Sequence, residues 1–269
     1  MKIILSRKGF DSSNGGCPSP ILPDGTLLSL PIPSKYDHVK YVDLHHDGKS
    51  FVEIIKEINP RTRIKEHWHC HLDPDIRDYG IVEDWLPLFG QEGSSQKHLE
   101  NQGICPGDIF LFFGWFRQTE SVSGKLRFVK TEKEKHILWG YFQVNAVYGS
   151  YSKLPPQFLY HPHAIVERFS KKSNCIYSAT GTLSLSQDHR GSGTFKYHPS
   201  LVLTKEGYSR SRWQIPEFFK DVGISYHTSK SFKEEGYFDS AKIGQEFVVA
   251  EDERVIDWAL SKIRIGKSK

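Results

Sequence analysis

Cysteine is scarce and dispersed. Cys17, Cys70, Cys105 and Cys175 are the four, and no C-x-x-C pair is among them. That excludes a zinc ribbon and suits a reducing, cytoplasmic setting with small buried thiols. No window approaches the roughly 18 apolar residues that a membrane-spanning helix needs. The apolar run at the start, Ile3-Ile4-Leu5, is too short for the core of an export signal, so none is expected. Net charge is small as well: 36 Lys and Arg against 32 Asp and Glu leave +4. Such an excess admits an anionic partner without demanding one. The familiar catalytic signatures are missing too: P-loop, dinucleotide fingerprint, nucleophile elbow, kinase set and H-E-x-x-H. Repeats, heptads and low-complexity tracts are also absent.

What is present is aromatic and histidine-rich. The 269 residues include 17 Phe, 12 Tyr and 6 Trp, which excludes intrinsic disorder, and 13 His, more than packing requires. Lys2 to Leu5 reads as a buried strand. A Pro/Gly-rich stretch from Cys17 to Pro33 reads as a surface wrap, because each Pro removes a backbone donor. Residues 50–58 carry apolar groups at helical spacing and end at Asn59-Pro60. Residues 90–103 read as a polar linker. Ile109 to Phe116 and Ile137 to Val144 are aromatic strands close enough in sequence to pair antiparallel, joined by a charged hairpin over 117–135. Asn174 to Leu185 alternates like a strand, Leu201 to Leu203 is a short apolar one, and Gly191 to Phe195 is a tight turn. Gln245 to Val249 is a late strand, and Asp252 caps an amphipathic helix through Ile263. The expected fold is α+β: a β-rich mixed or antiparallel sheet core with flanking short helices and a C-terminal helix. One continuous unit over 1–269 is expected, with an internal subdivision near 90–105 left open.

Three segments concentrate chemistry. Ser6-Arg7-Lys8-Gly9-Phe10-Asp11-Ser12-Ser13-Asn14-Gly15-Gly16 follows a strand and combines two cations, three glycines and three serines. Glycines let backbone N–H groups converge, and Arg7 and Lys8 would neutralise a phosphate. A solvated turn is the plain alternative. In His67-Trp68-His69-Cys70-His71-Leu72-Asp73-Pro74-Asp75, alternate residues would share one face of an extended chain. His69, His71 and Asp73 are candidate metal ligands, and His71-x-Asp73 is two thirds of a 2-His-1-carboxylate triad whose distal member would be His136 or His161. A hydrogen-bonded turn capped by Asp73 and Asp75 competes with that. In Tyr160-His161-Pro162-His163 two imidazoles could supply a base or a metal ligand, but a surface turn is the default. Glu246, set among Phe247 and Val248, becomes an acid/base candidate if buried. Trp115 and Arg117 end the first aromatic strand as a platform for a base, whereas Phe110, Phe112, Phe113 and Phe116 suit a core.

The N-terminal run, with Pro18-Ser19-Pro20-Ile21 after it, resembles the start of the nucleotide modification associated domain family, third type. His71-Leu72-Asp73-Pro74-Asp75, Gly107-Asp108-Ile109 through Arg117, and Gly244-Gln245-Glu246-Phe247-Val248 are similar to its other landmarks, so the likeness runs from residue 1 to about residue 250. It implies a place alongside systems that modify bases in nucleic acid, and marks Arg7, Lys8, Asp11, Ser12, His71, Asp73, Asp75, Arg117 and Glu246 as matching positions.

The function expected is therefore modification of a nucleotide or of a base within nucleic acid. Arg7, Lys8, Ser12, Ser13, Gly15 and Gly16 would hold phosphate or sugar, and Trp115 and Arg117 would hold the base. Asp11, His71, Asp73, Asp75 and Glu246 would be the catalytic set. No cofactor is specified, and no membrane partner is expected. Two alternatives stand beside it. One is a noncatalytic reader of modified nucleic acid on a PUA-like barrel, suggested by Pro106-Gly107-Asp108 and Trp139 to Val144; the other is a metal-dependent oxygenase using His71 and Asp73.

Overall fold

The run Ile109-Phe110-Leu111-Phe112-Phe113 has no polar side, and a strand so built must be covered on both faces. The structure, a computed structural model that describes residues 1–171, 173–240 and 245–266, places it at the centre of the main sheet. Gly244 of the last landmark lies outside the described residues.

In chain order the elements that position the site are β1 (Ile3–Arg7), β2 (Ser19–Ile21), β3 (Ile32–Ser34), α1 (Phe51–Ile58), β4 (His69–His71), β5 (Leu88–Glu92), α2 (Gly93–Asn101), β6 (Ile109–Val122), β7 (Lys125–Phe128), β8 (Lys135–Tyr148), α3 (Val166–Lys171), β9 (Asn174–Ala179), β10 (Ser192–Thr194), β11 (Glu246–Val249) and α4 (Glu253–Gly266). Nine strands form one mixed sheet along the path β11-β1-β6-β8-β9-β5, with β10 on β8 and both β2 and β7 on β6. β1 runs parallel to β6 with Ile3 opposite Ile109, and antiparallel to β11 with Ser6 opposite Glu246. The two aromatic strands pair antiparallel as expected, Phe142 facing Phe110 and Gln143 facing Ile109. Among the described residues four α-helices flank the sheet, the last of them C-terminal, so the fold is α+β with a β-rich mixed core.

One apolar cluster fills the sheet. Phe89, Phe110, Phe112, Phe142 and Tyr177 pack ring against ring within it, and each is buried. Truncating such a side chain to Ala costs about 3–5 kcal/mol. A second cluster is built from residues 10–72 around α1. Ser50 caps that helix in a reciprocal box with Glu53: the Glu53 amide donates to Ser50 Oγ at 3.3 Å and Ser50 N donates to Glu53 Oε2 at 2.7 Å.

Several local expectations give way. The Pro/Gly-rich stretch does not wrap the surface; Leu22, Leu28 and Leu30 fill the second cluster and Leu27 the first. Its Pro20 sits in β2, a three-residue strand whose strand partner is β6, and its carbonyl accepts the Leu28 amide at 3.2 Å, so the missing N–H is tolerated there. Residues 90–103 are not a linker but the end of β5 and all of α2. That helix buries only Gln96 and Leu99, so its composition reads as polar. Gly191 to Phe195 is not a turn: β10 occupies it, and Gly191 lies where a Cβ would fall 2.1 Å from the Thr180 carbonyl oxygen. Leu201 to Leu203 forms a 3₁₀ turn and a single bridge from Val202 to Ile137 rather than a strand.

Candidate functional site

Two pockets meet at the end of β1. The first, of about 300 Å³, is lined by Arg7, Lys8, Asp11, His71, Asp73, Gln91, His163 and Gln245 among others. The second, of about 370 Å³, is lined by Arg7, Asp11, Ser12, Ser13, Trp115, His136 and Arg210 among others. Arg7 and Asp11 belong to both.

Lys8 is delivered by β1, and its amide is anchored on the carbonyl of Phe113 at 2.9 Å. Its ammonium lies 3.5 Å from Asp73 Oδ2, 3.5 Å from Glu246 Oε1 and 4.5 Å from the centre of the Phe89 ring. All three charged side chains are nearly inaccessible. The two carboxyls respond in opposite directions. Burial pushes Asp73 up, but Lys8 and the imidazoles of His161 and His163 outweigh it and hold the carboxyl well below the usual range. Burial dominates at Glu246 and raises it, although Lys8, Ser6 and Gln91 pull the other way. One acid is therefore the standing anion beside Lys8, and the other retains its proton more readily. That split is the arrangement from which acid and base roles are drawn. Gln91 Nε2 donates to Glu246 Oε1 at 2.5 Å and fixes it.

β4, paired to β3 with His71 opposite Ile32, carries His71 into the same pocket. Its Nδ1 donates to Asp37 Oδ2 at 2.7 Å, and Asp37 is in turn held by Arg168 of α3 at 3.1 Å. The chain then turns, the amide of Asp73 bonding the carbonyl of His71 at 2.9 Å, while Gly90 of β5 donates its amide to Asp73 Oδ1 at 2.6 Å. His163 arrives from the turn before α3. Asn174 at the head of β9 orients it twice: His163 Nδ1 meets Asn174 Oδ1 at 2.8 Å, and Asn174 Nδ2 donates to the His163 carbonyl at 3.0 Å. His71 Nε2 and His163 Nε2 then face each other at 3.1 Å. His71, Asp73 and His163 present ligand atoms within 4.8 Å of one another, the arrangement able to hold a metal ion among the described residues.

The second histidine beside His71 and Asp73 is thus His163, not His136 or His161. His161 Nδ1 accepts the His163 amide at 3.3 Å, so its proton sits on Nε2, which lies 3.5 Å from Asp73 Oδ1. His136 belongs to the other pocket, where the Trp213 indole donates to its Nδ1 at 3.0 Å. The expected surface turn at 160–163 is corrected as well: His161 is 1% and His163 2% exposed. β4 is extended over 69–71 only, so the single-face alignment of His67, His69, His71, Asp73 and Asp75 does not form. His69 lies outside the metal-competent cluster of described residues. Asp75 is buried beside Trp85, and burial raises its carboxyl to about 8; it lines neither pocket.

The N-terminal loop is organised largely by its own Asp11. Asp11 Oδ1 accepts the amides of Ser13 at 2.7 Å and Asn14 at 2.6 Å, so the carboxylate organises its own turn. Gly15, at φ +92°, has Phe10 ring carbons 2.2–2.5 Å from where a Cβ would stand, a demand that only glycine meets. Ser12 accepts from Arg210 Nη2 at 2.7 Å. Gly16 closes the turn by donating its amide to the Asp11 carbonyl at 3.1 Å. Trp115 lines the second pocket, with Arg210 4.2 Å over its ring and its indole donating to Glu134 at 2.8 Å. Arg117 is held elsewhere, on the Val129 carbonyl at 2.8 Å. Arg7, Lys8, Asp11, His71 and Asp73 thus line one pocket, with Glu246 joined to them through Lys8, whereas Asp75 and Arg117 line neither pocket. Asp37, Gly90, Gln91, Asn174 and Arg210 escaped sequence reasoning, and His163 was read there as one of two imidazoles whose default was a surface turn. The one signal toward that group was the second imidazole in His161-Pro162-His163.

A family model described as nucleotide modification associated domain 3 matches residues 2–250. No curated protein and no solved structure matches the chain. No helix among the described residues is long and apolar enough to cross a membrane.

Proposed function

The chain belongs to the nucleotide modification associated domain 3 family, and from that premise we propose that it binds a nucleotide, free or within nucleic acid, and modifies it in the pocket lined by Lys8, His71, Asp73 and His163. The observation that carries this is convergence. Arg7, Lys8, Asp11 and Asn14, the pair His71 and Asp73, His163 and Gln245 come from distant parts of the chain yet line one cavity of about 300 Å³, and ligand sites begin at roughly that size.

The division of labour follows from charge. Lys8 is committed to Asp73 and Glu246, so it sets their protonation rather than neutralising phosphate. Phosphate recognition falls to the adjoining pocket, where Arg7, Arg210, Ser12 and Ser13 stand on the wall. Because Trp213 donates to His136 Nδ1, neutral His136 carries its hydrogen on Nε2 and is a donor there. The base or sugar would then reach the His71 and Asp73 side, where Glu246 is the proton-retaining acid and Asp73 the standing anion.

The test is calorimetric titration with nucleoside monophosphates and short single-stranded oligonucleotides, at low and moderate salt. Saturable, salt-sensitive binding is expected for at least one of them. Arg210→Gln should weaken it tenfold or more without changing the melting temperature. Absence of binding to every probe by folded wild-type protein would refute the proposal.

A further inference from the structure

We propose that His71, Asp73 and His163 bind one divalent first-row transition-metal ion, leaving further coordination positions for water or a substrate oxygen. This deepens the function proposed above, and its place in the reaction rests on that proposal; the metal site itself stands on geometry alone.

The hydrogen bonds of the two imidazoles leave little choice of tautomer. Asp37, anchored by Arg168, accepts from His71 Nδ1. Asn174 uses its Nδ2 as donor to the His163 carbonyl, so its Oδ1 is what faces His163 Nδ1, and that nitrogen must donate. Neutral, both rings therefore turn unprotonated Nε2 atoms toward each other at 3.1 Å. Two lone pairs at that separation repel unless a cation lies between them. With metal–nitrogen bonds of about 2.1 Å, a separation of 3.1 Å subtends about 95° at an ion, the angle of adjacent coordination positions.

Everything around the pair matches what metal-bound histidines need. Each distal nitrogen is held by an oxygen acceptor, Asp37 for one ring and Asn174 for the other, which fixes the ring and raises its basicity. Asp73 supplies the anionic oxygen. Its Oδ1 is taken by the Gly90 amide at 2.6 Å, while Oδ2 has, among the described residues, only Lys8 at 3.5 Å, longer than a charge-assisted hydrogen bond of about 2.7–2.9 Å. Two borderline imidazoles with one hard carboxylate favour iron, manganese, cobalt or zinc over magnesium or calcium. Bound there, the ion would act as a Lewis acid toward an oxygen brought into the pocket.

The experiment starts from chelator-treated protein, titrated with Zn²⁺ and Co²⁺, and anaerobically with Fe²⁺ and Mn²⁺, reading stoichiometry, affinity and the visible spectrum of the cobalt form. One ion per chain is expected. His71→Gln and His163→Gln should each weaken binding by a hundredfold or more, and His69→Gln should leave it unchanged. Asp37→Asn, which touches no ion, should weaken it tenfold to a hundredfold and keeps the inference testable if a ligand variant fails to fold. If the two imidazoles merely share a proton, folded wild type will take up no stoichiometric metal and the inference is overturned. Equal affinity in wild type and His163→Gln overturns it too. Nucleotide titration of the same samples separates the outcomes. Nucleotide binding without metal binding sinks only the metal site, and metal binding without nucleotide binding sinks only the proposed function.

Discussion

Gly90→Ala is the smallest change that should disable the site. Gly90 lies in β5 opposite Ile176, and its φ is one that any residue adopts, so the substitution carries no backbone strain. Space is the obstacle. A Cβ at Gly90 would stand 2.3 Å from His163 Cγ and Cδ2 and 2.7 Å from its Cβ, whereas ordinary contact begins at 3.4 Å. The ring must retreat by about 1 Å, and it has no compliant direction. Its Nδ1 is tied to Asn174 at 2.8 Å and its Nε2 faces His71 at 3.1 Å, so a shift of that size breaks one or both contacts. Overpacking of this kind costs about 1–3 kcal/mol, and at roughly 2–4 °C per kcal/mol the melting temperature should fall by several degrees. Metal affinity should fall further in proportion, by tenfold to a hundredfold, because the misplaced ring is a ligand. Gly149→Ala is the control, since its nearest neighbour, Cys175 Sγ, is 3.5 Å from the built Cβ; it should stay within about 0.5 kcal/mol of wild type. Calorimetric melting and cobalt titration of both variants settle the matter. A Gly90→Ala protein with wild-type melting temperature and wild-type metal affinity would refute the reasoning.

Two further predictions concern buried titratable groups. His136 is held neutral by burial, with Arg210 and Arg7 adding to the effect, and its folded value of about 3 lies below the 6.5 of the open chain. Its contribution is therefore complete above pH 6.5 and is lost as pH falls toward 3. Between pH 7 and pH 5 it removes about 2 kcal/mol, and urea titrations of His136→Gln should show that pH-dependent loss shrink by about this amount. Asp75 has the opposite sign: burial raises its carboxyl to about 8 from 3.8, so its cost to the fold grows as pH rises between those values. Asp75→Asn should then be more stable than wild type by a few kcal/mol at pH 7, with the gain gone by pH 4; a loss of stability at pH 7 would show that the carboxylate has a partner.

Much of the fold was legible because its core strands are uninterrupted. Ile109 to Phe113 has no polar residue and Ile137 to Val144 has one, Gln143, so their pairing at the sheet centre follows from composition. α1 was legible through its spacing and its end at Asn59-Pro60. What escaped were elements whose burial depends on few residues. α2 buries Gln96 and Leu99, the former because Tyr177 of β9 donates its hydroxyl to Gln96 Oε1 at 2.9 Å. β10 looked like a turn because its flanking glycine is there for close approach, not for bending.

The site divides along a similar line, between what local spacing fixes and what only the assembled sheet supplies. His71 and Asp73 are two residues apart, and one turn brings both into the pocket. His163 lies 92 residues from His71 and Asp37 lies 34 away, so no local pattern could have joined them. The same distinction reverses the expected role of Lys8. Beside Arg7 and three glycines it looks like a phosphate cation, because sequence shows the neighbours along the chain. The sheet supplies the neighbours across it: β11 sets Glu246 opposite Ser6, and β5 sets Gln91 against that glutamate and Gly90 against Asp73. An ammonium between two buried carboxyls is already neutralised. Its work is then to keep Asp73 ionised, which is what a carboxylate needs if it is to serve as the anionic member of a site otherwise made of two neutral imidazoles.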